Sequence, residues 1–275
     1  MKKNITTPLM LGLLVLTIGA FTSCKKKGCT DENAVNYNAE AEKDDGSCEF
    51  PTSGDVTLKF DHKWGNTWDS FEFNETYTHP GTGNPITFTT LNYYISNVRL
   101  KKADGTWWSE EESYHLVKGT ESDVPELKLK DVPNGSYSEI SYMIGVDSTR
   151  NVSGAQSGAL SVTHGMFWSW NTGYIFVKAE GTSTSAPSGE FKYHIGGFKE
   201  ENNTNAIRVN THSLGGEINV DGMNTSPKIH FYVNAARFWH GGLSFEDYET
   251  IMMPGEKAKT LADNFKDAFI VHHIH

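Results

Sequence analysis

Gly54-Asp55-Val56-Thr57-Leu58-Lys59-Phe60-Asp61-His62-Lys63-Trp64 decides the fold class. Val56, Leu58, Phe60, His62 and Trp64 fall on one side of an extended chain, and Thr57, Lys59, Asp61 and Lys63 on the other. Period two with one apolar side is the mark of a half-buried strand. Working outward, residues 91–100 form a second strand-like run. The turn signal Asp104-Gly105 follows it, then Trp107-Trp108 and residues 114–117. Ile140, Tyr142, Ile144 and Val146 alternate after the turn Pro133-Asn134-Gly135. Residues 174–179, 191–195, 217–220 and 229–235 complete the set. Short strands separated by turn residues predict an all-β fold, an antiparallel β-sandwich, over residues 54–275. One or two short helices are expected near the end. Leu261, Phe265 and Phe269, four apart, define one of them, with Thr260 as its cap.

The composition narrows the function. The chain has 275 residues and a formal net charge of −10. A phosphate binder needs a basic face, so nucleic acid is excluded as the main partner. The sequence holds no Cys-x-x-Cys-His, no His-Glu-x-x-His, no glycine-rich phosphate loop and no Gly-x-Ser-x-Gly elbow. Nothing local marks an enzyme, and a non-catalytic protein is expected.

Residues 1–23 read as an export address. Lys2 and Lys3 precede a short apolar run from Leu9 to Phe21, which ends in Phe21-Thr22-Ser23-Cys24. A small residue before Cys is the pattern of a lipoprotein signal, which leaves Cys24 acylated at the start of the mature chain. Lys25, Lys26 and Lys27 beside the lipid favour anionic headgroups. The expected location is the cell envelope, lipid-anchored at the outer membrane and facing either the periplasm or the exterior. With Cys24 acylated, Cys29 and Cys48 are left to pair in an oxidising compartment. Residues 24–53 are otherwise poor in apolar side chains and read as a stapled spacer. Asp31, Asn36, Asn38, Asp44 and Asp45 are hard oxygen donors of the kind Ca²⁺ takes, but their spacing is not that of an EF-hand loop. The solvated spacer is the stronger of the two readings.

Eleven histidines and seven tryptophans in an exported chain point to imidazole as the available metal ligand, which suits copper or zinc. His62 lies on the apolar side of its strand. His194 lies opposite Phe191 and Tyr193, beside Lys192, where exposure is expected. In Gly165-Met166-Phe167-Trp168-Ser169-Trp170-Asn171-Thr172-Gly173-Tyr174, the residues Met166, Trp168 and Trp170 share a face if the segment is extended. In the tail Val271-His272-His273-Ile274-His275, His273 and His275 share a side, though a frayed terminus is the expected state.

Several segments together resemble the MbnP-like family. They are residues 91–98; Gly145-Val146-Asp147-Ser148 with Asn151; Gly158-Ala159-Leu160; the aromatic segment 165–174; and Tyr193-His194-Ile195-Gly196-Gly197. The ordered pair of the last two is the most specific part. The resemblance implies a β-sandwich of the periplasm or cell surface that binds copper. It implies copper held through histidine and a kynurenine, an oxidised tryptophan made by a partner dihaem enzyme of the cytochrome c peroxidase type. On this reading Trp168 or Trp170 is the modified residue and His194 matches the family's histidine segment. His62 is added from its place on the first strand. Unlike some relatives, the main domain lacks cysteine. The alternative is a surface module that takes a carbohydrate or peptide in an aromatic groove built from Trp107, Trp108 and Trp168.

Overall fold

The computed structural model describes residues 25–119, 124–154, 156–168, 173–201, 204–223 and 226–275. The expected signal, Cys24 and Trp170 lie outside them. The chain divides into two compact units, Met1–Phe50 and Pro51–His275.

In the small unit Cys29 and Cys48 are disulfide-bonded. Two short strands, Lys27–Gly28 and Lys43–Asp44, pair in parallel. Cys29 and Ala34 are buried there. The Asx oxygens considered for Ca²⁺ are used locally. Asp31 accepts from the Asn33 amide, Asn36 from Glu49, Asn38 from Glu40, Asp44 from Gly46 and Asp45 from Ser47. Four of these bonds close Asx turns and the fifth, from Glu49 to Asn36, crosses the unit, so each oxygen is committed to a backbone amide.

The large unit is a sandwich of two sheets. The nine-stranded sheet runs Arg208–Val220, Gly135–Ile144, Pro85–Lys102, Ile175–Thr182, Glu190–Gly196 and Thr250–Ile251. Three short strands, Thr76–Thr78, Trp107–Ser109 and Tyr114–Lys118, also pair with Pro85–Lys102. The five-stranded sheet runs Phe269–Ile274, Lys228–Asn234, Ser53–Trp64 and Asp69–Ser70, with Glu126–Pro133 also paired to Ser53–Trp64. Ser53–Trp64 keeps the predicted alternation from Leu58 to Trp64, every second side chain buried. Most pairings are antiparallel. Ser53–Trp64 with Lys228–Asn234, and Glu190–Gly196 with Thr250–Ile251, are parallel.

The core lies between the sheets. Phe60 stacks on Phe231 at 5.0 Å and meets Tyr93 of the opposite sheet edge-on at 6.2 Å. The helix Glu256–Lys266 closes one end of that core with Ala258, Leu261, Ala262 and Phe265, the i, i+3, i+4, i+7 stripe of a surface helix. The expected cap is corrected by one turn. Gly255 is the cap, and Thr260 lies inside the helix, donating its hydroxyl to the Glu256 carbonyl. Phe269 belongs to the following strand, not to the helix. A second short helix spans Phe245–Tyr248. The tail expected to fray is instead the edge strand Phe269–Ile274, paired with Lys228–Asn234.

Candidate metal-binding face

Register assigns each predicted residue to a face. Tyr93, Val177 and Ile195 are cross-strand neighbours in the large sheet, as are Asn92, Lys178 and His194. Paired residues share a face and consecutive residues alternate. Tyr93 points into the core, so His194 lies on the outer side of the sheet with Lys178 and Asn92, but its ring is buried there rather than exposed as expected.

His62 belongs to the other sheet and points inward. Its Nε2 lies 3.3 Å from the Tyr93 hydroxyl. Phe71, Phe73 and Tyr93 meet its ring edge-on at 6.3, 6.1 and 5.8 Å. Burial pushes the imidazole down to about 4, with Asp61 opposing. His62 and His194 therefore stand on opposite faces of the large sheet, and the fold does not bring them to a shared pocket. Alternation shows which residues share a side of one strand, but not which sheet that strand joins.

Trp168 does come to the outer face. Its segment forms a hairpin neck: Trp168 donates its amide to the Gly173 carbonyl and Ile175 donates to Met166. Met166 is fully buried, and Phe167 meets Tyr174 edge-on at 5.0 Å. The indole lies against Gly196, where an added Cβ would stand 2.7 Å from Cζ3 of the ring. Gly196 follows His194 by two on the same face, about 7 Å along the strand. Residues 169–172, with Trp170, lie outside the described residues.

Two groups organise this face: Glu180, which sequence reading passed over, and Asn151, which it placed only in a motif. Glu180 accepts from His194 Nε2 at 2.7 Å and lies 3.7 Å from the Lys178 ammonium. A neutral imidazole that donates from Nε2 keeps its lone pair on Nδ1. A carboxylate behind a histidine in this way fixes the tautomer and the orientation of the ring. Asn151 is buried and anchors the neck. Its Oδ1 accepts from the Tyr174 amide at 2.8 Å, and its Nδ2 donates to the carbonyls of Val146 at 2.6 Å and Asp147 at 2.9 Å. The separate segments 145–151, 165–168 with 173–174, and 193–197 thus form one neighbourhood. The signal for Glu180 was its alternation with Lys178 on one strand face, which says nothing without the register to His194.

The aromatic groove does not assemble as drawn. Trp107 and Trp108 are consecutive in a strand and point to opposite faces. Trp107 lies under Arg99 and Lys101, at 4.8 and 5.8 Å, while Trp108 packs on the core. Among the described residues, no helix is long and apolar enough to cross a membrane.

The family model for MbnP matches residues 53–253. Among solved structures, MbnP from Methylosinus trichosporium aligns at 14% identity with a TM-score of 0.45, covering 75% of this chain and 84% of that one. No curated protein matches.

Proposed function

The chain belongs to the MbnP family, and from that premise we propose that it is a lipid-anchored envelope protein that binds copper on the outer face of its large sheet. The observation that carries this reading is the placement of the Trp168 indole on Gly196, two residues from His194 on one face. His194 would offer Nδ1, with Glu180 holding Nε2–H. Indole nitrogen is not a useful ligand. Ring opening to kynurenine exposes an aniline-type amine, and Trp168 or Trp170 would supply it after oxidation by a dihaem partner enzyme. With imidazole this gives a low-coordinate nitrogen site suited to Cu(I). The role is binding rather than catalysis, and Cys24 would carry the anchor.

The test is protein purified from its native host. Peptide mass spectrometry should find kynurenine at Trp168 or Trp170, and metal analysis should find copper that His194→Ala removes. Unmodified tryptophans together with copper-free protein would overturn the reading. For the anchor, Cys24→Ser should abolish fatty-acid labelling and release the chain from the membrane fraction.

A further inference from the structure

Three imidazoles stand together on the outer face of the five-stranded sheet. His230 lies between Lys59 on one neighbouring strand and His273 on the other. Phe231 turns inward onto Phe60, so His230 turns outward. The terminal strand is bulged here. His273 pairs with His230, but Val271 pairs with Phe231, and His272 is the extra residue. The bulge sets His272 against Tyr232 at 3.8 Å and leaves His273 beside His230. His275, two residues on, shares that side. Its backbone exchanges two hydrogen bonds with Lys228, at 2.6 and 3.0 Å.

The geometry is that of a ligand set. Ring centroids lie 4.1 Å apart for His230 and His273, 4.7 Å for His230 and His275, and 5.4 Å for His273 and His275. One nitrogen of each lies within 4.8 Å of the others, and among the described residues no other such group of His, Cys, Asp or Glu is found. Zn–N bonds of 2.0–2.1 Å in a tetrahedron place nitrogens about 3.4 Å apart, so a small side-chain rotation closes the set. His273 and His275 are exposed and free to make it. His272 Nδ1 lies 2.7 Å from His273 Nδ1, which leaves the His273 Nε2 for the group.

The surroundings argue against a merely solvated patch. His230 Nε2 is buried with no hydrogen-bond partner. Such an atom is costly to leave unsatisfied, and a bound cation would satisfy it. Glu126, the nearby carboxylate, is paired with Lys59 at 2.6 Å.

We propose that His230, His273 and His275 form a second metal site, distinct from the Trp168–His194 face, for a borderline divalent ion of the Zn²⁺ or Cu²⁺ class. Three imidazoles without thiolate suit these ions, and an open fourth position keeps the ion exchangeable. His273 and His275 lie beyond the residues that the family model matches, so the family reading does not supply this site.

The experiment titrates Zn²⁺ into chelator-stripped full chain made without any modifying enzyme, which leaves the tryptophans intact. Wild type should take up one equivalent and melt at a higher temperature with Zn²⁺ than without. His273→Gln/His275→Gln should keep the metal-free melting temperature, lose the Zn²⁺-induced rise and bind at least 100-fold more weakly. His194→Ala should bind as wild type does. Absence of binding by wild type, or equal binding by the double variant, would overturn the site. Loss on His194→Ala alone would assign the metal to the other face.

Discussion

The indole of Trp168 is seated on Gly196 so closely that no Cβ fits between them. A methyl at Gly196 would stand 2.7 Å from the indole Cζ3 and 2.6 Å from the Tyr174 carbonyl oxygen. The ring can swing away, but the carbonyl is backbone and cannot move without disturbing the hairpin neck. Gly196→Ala is expected to destabilise the protein by about 1–3 kcal/mol and to displace Trp168. Urea unfolding and the tryptophan emission maximum would read this. Unchanged emission with unchanged stability would show that the ring is not seated there.

Asn151 ties that neck to the segment before it through one accepted and two donated hydrogen bonds. Asn151→Ala leaves the Tyr174 amide and the Val146 carbonyl without partners. The expected loss is roughly 2–4 kcal/mol, since each unsatisfied buried group costs about 1–3 kcal/mol. Hydrogen exchange at the Tyr174 amide should accelerate ahead of the sheet amides. If that amide remains as protected as in wild type, Asn151 is not the anchor.

The sequence made the strands legible where burial is one-sided, as in Ser53–Trp64, because alternation records a single solvent boundary. The same alternation runs through Glu126–Lys130, but two leucines among charges are too short a signal to mark a strand there. Only Leu127, Leu129 and Val132 are buried there among charged neighbours, and the charge reflects an edge position. Nor does any local signal pair Lys228–Asn234 with Ser53–Trp64, strands far apart in the chain that meet in parallel. The site was legible in part for the same reason. The motifs around Asn151, Trp168 and Gly196 mark one neighbourhood. The opposite facing of His62 and His194 depends on which sheet each strand joins, and the grouping of His230 with His273 depends on a bulge at His272.

On the copper site proposed above, Glu180 would act on the metal only through His194. Glu180→Gln keeps an acceptor for Nε2–H but removes the charge, and a substitution behind a metal-bound histidine costs about 10–100-fold in affinity. Copper affinity of native-host protein should fall by that factor with kynurenine content unchanged. A competition titration against a chelator of known affinity measures it. Equal affinities would detach Glu180 from the metal.

Acid sensitivity should trace to His62. Its ring is held near 4 in the folded chain by burial, against an ordinary value of 6.5. Between those values the unfolded chain binds the proton and the folded one does not, so stability rises with pH across the window. As pH falls from about 6.5 toward 4 the folded state loses stability, and below the lower value the loss levels off. The full difference is about 3 kcal/mol. His79 and His212 are also lowered by burial and contribute in the same direction, so the absolute pH curve belongs to several groups. The difference between wild type and His62→Gln isolates one of them. Above pH 7 the two unfolding free energies should keep a constant offset, set by the lost packing and the Tyr93 contact. Below it that offset should shrink by up to about 3 kcal/mol as only wild type pays for the neutral ring. Parallel curves from pH 7 to pH 4 would mean that His62 takes up its proton within the fold, and that its pocket admits water or an anion.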